Sequence, residues 1–256
     1  MAILKDLYDI IDTEAPFHTA MRGDNVGILV GTPEAEVHRV LVCLDITKEI
    51  VLEAASKNVD TIISHHSVIF EPIWELRADS VPYLLAQNSI AALCCHTNLD
   101  LSVSIGVNIA LGNRLGLQNI YRYNMEDENT PVFVGELEES YSMKAFSKKV
   151  KKDLDAESVL FSDSNIQVKK VAFCSGGGGD FLEAAQQSGA EVYLTGELKH
   201  HEMLEAAAMH LPVVVAGHFE TEHVYTRSMA KYLRRLMPDV GFITAEAEKS
   251  PCIAVI

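Results

Sequence analysis

Three apolar runs in this chain end in histidine, and the residue types around those histidines are the ones a divalent-metal site uses. Thr61-Ile62-Ile63-Ser64 runs into the pair His65-His66. Ile90 to Cys95 runs into His96-Thr97-Asn98-Leu99-Asp100, and Leu211 to Gly217 into His218-Phe219-Glu220-Thr221-Glu222, so both tails read His-x-x-x-acid. An imidazole binds borderline divalent ions, and a site gathers about three to six ligands from separate loops. His65, His66, His96, Asp100, His218 and Glu222 offer four nitrogens and two carboxylates. That is enough for two ions if a carboxylate bridges them, with positions left for water. Ions roughly 3.5 to 4 Å apart clamp the oxygens of a displacement and lower the pKa of bound water. The donor set fits zinc, iron, manganese, cobalt or nickel better than calcium, and affinity order does not choose among them. Any one of these histidines taken alone reads as a hydrogen-bonded or surface residue; the repeated placement at strand ends makes the case.

The elements that must carry these residues follow from hydrophobic pattern. Ile3, Leu4, Leu7, Ile10 and Ile11 fall at helical spacing, so a helix opens the chain and stops before Pro16. Arg22-Gly23-Asp24-Asn25 is turn chemistry leading into a strand, although the Asp24 carboxylate could also approach a site. Val40 to Leu44 is a continuous apolar run, as expected of a strand covered on both faces. Asp45-Ile46-Thr47 turns into a helix with Thr47 as N-cap, and a second strand reaches His65-His66. This is a βαβ unit, which implies parallel strands and a right-handed crossover.

The pattern then repeats. Val168, Val171 and Cys174 stand as do Val37, Val40 and Cys43; Phe181 to Ala185 repeats Val51 to Ala55; Ala190 to Thr195 repeats Val59 to Ser64. The offset holds at 130 to 131 residues, so the expectation is an α/β fold of two related lobes from an internal duplication. The first lobe spans 1–116 and the second 166–256, as separate bodies or around one continuous core. Between them 117–165 reads as a small α+β insertion without histidine. Ligands of open α/β sheets gather beyond the carboxyl ends of strands, where the histidine-rich tails sit.

Weaker candidates surround the main set. Gly176 to Gly179 follows a strand and opens a helix, but it lacks a P-loop ending and reads as a flexible turn rather than a phosphate cradle. Gly196-Glu197 stands where the repeat places the paired histidines; Glu197 could be a general base or a partner behind a ligand, and His200, three residues on, could contact substrate. The basic run Lys148 to Lys152 sits at helical spacing and reads as a solvated face.

Composition bounds the partners. The 256 residues carry a formal net charge of -15, which disfavours a nucleic-acid backbone. The five cysteines form no C-x-x-C pair and read as free thiols in a reducing compartment. No apolar run approaches the roughly 18 residues that span a bilayer, so the expected location is cytoplasmic, without membrane contact.

Asp24-Asn25-Val26-Gly27, Ser64-His65-His66, His96 to Asp100, Thr195-Gly196-Glu197 with Lys199-His200-His201, and Gly217-His218 through Thr221-Glu222 together resemble the Nif three-like family. Its bacterial members are called GTP cyclohydrolase I type 2 homologues. The resemblance implies two α/β domains around a dinuclear metal site, assembled as a homohexamer. Its ligands fall on His65, His66, Asp100, His218 and Glu222, with His96 as a ligand or a neighbour behind them. Ser67 stands where the family usually has proline. The expected activity is metal-dependent hydrolysis of a nucleotide-like or other small substrate; the alternative is a metal-binding regulatory or interaction protein without turnover.

Overall fold

The computed structural model describes residues 1–127 and 129–252. In chain order the first elements are α1 (Leu4–Glu14), β1 (Gly27–Val30), β2 (Arg39–Cys43), α2 (Lys48–Ser56), β3 (Thr61–Ser64), α3 (Val81–Gln87), β4 (Ala91–Cys94) and α4 (Thr97–Leu101). Then come α5 (Val107–Arg114), β5 (Gln118–Arg122), β6 (Phe133–Ser142), α6 (Met143–Asp153), β7 (Leu160–Phe161), β8 (Gln167–Gly177) and α7 (Leu182–Gln187). The last are β9 (Val192–Glu197), α8 (His200–Ala208), β10 (Val213–Val215), α9 (His218–Glu222), α10 (Tyr225–Leu236) and β11 (Gly241–Thr244).

The fold is mixed α/β with two sheets. The first has the order β1-β4-β3-β2-β11. Its β2, β3, β4 and β11 run parallel, and β1 closes one edge antiparallel to β4. The apolar run of β2 is buried from Val40 to Cys43, the signature of a strand packed on both faces. Thr47 caps α2 as expected, its hydroxyl accepting the Ile50 amide at 3.3 Å.

The second sheet has the order β5-β6-β8-β9-β10-β7, with β8, β9 and β10 parallel and the other three strands antiparallel to their neighbours. In α6, Met143, Phe146 and Val150 turn inward while Lys148, Lys151 and Lys152 are exposed, so the basic run is a solvated helix face.

Two compact units result, one of 1–105 with 226–249 and the other of 106–225 with 250–256. They divide the chain differently from the lobes drawn on the sequence at 116 and 165. Leu111 of α5 and Leu115 just after it pack with Phe133, Phe146 and Phe173 in the second unit, and β5 and β6 extend the sheet of β8. β11 returns to pair with β2 in the first unit. Cys43, Cys94, Cys95 and Cys174 are buried, and Cys252 is exposed. Among the described residues no helix is long and apolar enough to cross a membrane.

Candidate metal centre

In the first unit the histidine pair sits just past the end of β3, where the ladder of hydrogen bonds is still intact. The His65 amide donates to Cys43 O at 3.3 Å and the His66 amide to Leu44 O at 3.0 Å. His65 is fully buried, and its Nδ1 lies 2.8 Å from Cys95 O. His66 Nδ1 lies 2.7 Å from Asp45 Oδ1, and His96 Nδ1 lies 2.9 Å from Asp24 Oδ1. A carbonyl or carboxylate oxygen accepts, so each Nδ1 carries a proton, the tautomer that in a neutral imidazole puts the lone pair on Nε2. Metal-binding histidines are held in this way, with the second nitrogen engaged by a carboxylate or carbonyl.

The three rings also converge. One ring nitrogen from each of His65, His66 and His96 lies within 4.8 Å of the others. Asp100, in the short helix α4, brings Oδ1 to 3.5 Å from His65 Nε2. Imidazole and carboxylate donors at this spacing fit a divalent transition ion. The neighbouring thiols do not join them. Burial raises Cys94 to about 12, and its Sγ donates to His65 O at 3.2 Å.

Asp24 occupies the turn foreseen for it, with its carboxylate nearly buried. Burial pushes that carboxyl up, but hydrogen bonds from His96, the Thr97 hydroxyl and the Thr97 amide outweigh it and hold the group at about 2. It is therefore an ionised acceptor that fixes His96 and the start of α4. Asp45, which does the same for His66, reads in the sequence only as turn chemistry; its one signal there is its place at the carboxyl end of a strand.

In the second unit α9 carries the donors. His218 Nε2 lies 3.0 Å from Glu222 Oε2, one helical turn away, and His218 Nδ1 lies 3.4 Å from Glu197 Oε1. Glu222 is nearly buried, while Glu197, at the end of β9, is exposed. His200 is exposed at the first residue of α8.

The glycine run makes this arrangement fit. β8 continues through Gly177, so the run is strand before it is turn. Gly176 has φ +62°, and a Cβ there would fall on the Glu222 carboxylate and within 3.2 Å of His218 Nε2. A Cβ on Gly196 would come within 2.6 Å of both Gly176 O and Thr221 Oγ1. The Thr221 hydroxyl accepts the Gly176 amide at 3.1 Å, which ties α9 to the end of β8. Beside His218 a cavity of about 390 Å³ is lined by Gly196, Val215, Gly217, Phe219, Glu220 and others.

The family profile described as Duf34/NIF3 (NGG1p interacting factor 3) matches residues 2–251. A protein of Clostridium acetobutylicum named GTP cyclohydrolase 1 type 2 homolog is 31% identical over 250 residues, covering 94% of this chain and 93% of its own. One of the same name from Campylobacter jejuni is 30% identical over 238 residues, covering 91% and 92%. The crystal structure of a Staphylococcus aureus hypothetical protein superposes with a TM-score of 0.91 at 27% identity, with 99% of each chain covered. On matches of this extent, the chain belongs to the Duf34/NIF3 family.

Proposed function

We propose that the chain is a dinuclear-metal hydrolase acting on a nucleotide-like or other small substrate. The observation that carries this reading is the state of the three imidazoles after β3 and β4. Each has Nδ1 held by a carbonyl or carboxylate oxygen, as metal-binding imidazoles are held, and one nitrogen of each ring lies within 4.8 Å of the others. In this reading the ligands are His65, His66, Asp100, His218 and Glu222, with His96 joining them or standing behind them. Pooling the two sets has a chemical reason: His218 and Glu222 alone are two donors, short of a complete coordination sphere.

Bound ions would supply Lewis acidity and lower the pKa of water. The chain's own residues do the rest. Asp24 and Asp45 fix the rings, Glu197 is the exposed carboxylate that takes a proton, and His200 contacts substrate. The cavity beside His218 gives the substrate its place, and the name shared by the two curated relatives supports a nucleotide-like occupant.

The reading extends to ancestry and assembly. Val40 pairs with Thr61 and Cys43 with Ser64, and 131 residues on Val171 pairs with Val192 and Cys174 with Thr195. Identical register at a constant offset supports descent of both sheets from one duplicated βαβ unit. A homohexamer is the proposed assembly, supported by the exposed Phe70, Ile73, Trp74 and Leu76 in one loop.

Elemental analysis of the purified protein, followed by a panel of hydrolase substrates, tests the function. Two transition ions per chain and turnover that Glu222→Ala abolishes are expected. Fewer than one ion per chain after metal is resupplied would rule the centre out. Metal without any turnover would favour a regulatory metal-binding protein.

A further inference from the structure

The first unit contains an anchor for His66 that lies far from it in sequence. After β11 the chain continues alongside β2, with the Ala245 amide donating to Val42 O at 3.0 Å. Glu53 of α2 then accepts the Glu246 amide at 3.0 Å and the Ala247 amide at 2.8 Å. Lys57 braces both carboxylates, 2.8 Å from Glu53 and 3.0 Å from Glu246. The strap ends with Glu248, whose Oε1 accepts the Leu44 amide at 2.6 Å and the Asp45 amide at 2.9 Å.

Those two amides belong to the turn that holds His66. The Leu44 carbonyl accepts the His66 amide, and the Asp45 carboxylate accepts the His66 ring. A carboxylate that gathers successive backbone N–H groups makes charge-assisted bonds, which are stronger than neutral ones and set direction as well as energy. Glu248 thus holds the backbone on both sides of the Leu44-Asp45 peptide, and the half-exposed Asp45 carboxylate lies 2.7 Å from His66 Nδ1.

We propose that Glu248 is a positioning residue for His66: through the Leu44 and Asp45 amides it fixes Asp45, and through Asp45 it fixes the proton on Nδ1 and the direction of Nε2. Its importance for metal rests on the reading of His66 as a ligand given above. Its effect on the ring does not, because it runs through contacts between the chain's own atoms.

The test separates those two statements. Nitrogen-15 NMR of the imidazoles in metal-free protein reads which nitrogen of each ring is protonated. Glu248→Ala is expected to move His66 from a single Nδ1–H form to a mixture of tautomers, while His96, held by Asp24, keeps its signals. Glu248→Gln, whose amide oxygen still accepts both backbone N–H groups, is expected to retain the wild-type pattern. In a zinc titration Glu248→Ala should lose about tenfold in affinity, the lower end of the range for removing a partner behind a ligand, since it acts one link further out. An unchanged His66 spectrum in Glu248→Ala overturns the proposal. So does simultaneous loss of the His96 pattern, which would mean general loosening of the unit. Wild-type protein that takes up no zinc overturns the metal reading, with the tautomer result still deciding the role of Glu248.

Discussion

At the scale of single residues, what matters is which nitrogen of each histidine is spoken for. Asp45 and Asp24 each accept from an Nδ1, so removing either frees a ring to rotate and to exchange tautomers. Asp45→Ala should lower zinc affinity 10- to 100-fold in a competition titration. Asp45→Asn should lose less, because an amide oxygen still accepts the ring proton. Gly176→Ala combines a left-handed backbone with a Cβ on the Glu222 carboxylate. Denaturant unfolding should show a loss of about 1–3 kcal/mol from the backbone alone, with metal uptake falling as Glu222 is displaced. The histidines and their spaced acids were legible in the sequence because ligand chemistry is specific to residue type. Asp45 and Gly176 were not, since a turn aspartate and a turn glycine look alike whether or not a ring or a carboxylate lies against them.

At the scale of elements, the βαβ rhythm could be read because apolar runs and helix caps are local. Thr47 marks a helix start without any knowledge of the partner strands. What could not be read is long-range pairing. β11 is four residues of ordinary composition, and only its register against β2, with Gly241 opposite Arg39, makes it part of the first sheet. Residues 117–165 look like a separate piece because no βαβ period runs through them, yet Phe133 to Glu136 pair with Phe173 to Lys170. The strap beyond β11 has an acid-dependent hold. Burial pushes the Glu53 carboxyl up, but Lys57 and the amides of Ala247 and Glu246 outweigh it, and the group sits below its ordinary value. A carboxyl with a lowered folded pKa stabilises above its unfolded value of about 4.3, and that stability is lost as pH falls through the folded value. Glu53→Gln should therefore lower the unfolding midpoint above about pH 5 and converge with wild type in acid.

At the scale of the whole molecule, Lys and Arg number 21 against 36 Asp and Glu, so the chain carries a net negative charge. The proposed hexamer can be followed with the protein's own probe. Trp74 is the sole tryptophan and is 95% exposed in the single chain. If its loop is covered on assembly, emission should shift to the red as the protein is diluted, in step with a falling mass by light scattering. Emission that stays unchanged while the mass falls would move the interface elsewhere. The division into units bears on how the protein is made. The first unit is complete only when 226–249 exist, and the whole of 106–225 is synthesised before them. During synthesis β2 therefore waits as an open strand edge, with unpaired backbone groups of the kind that recruit other chains. A nascent chain usually finishes its N-terminal domain first. Here the N-terminal unit waits, and His66 receives its brace from Glu248 only after the whole of 106–225 has been made.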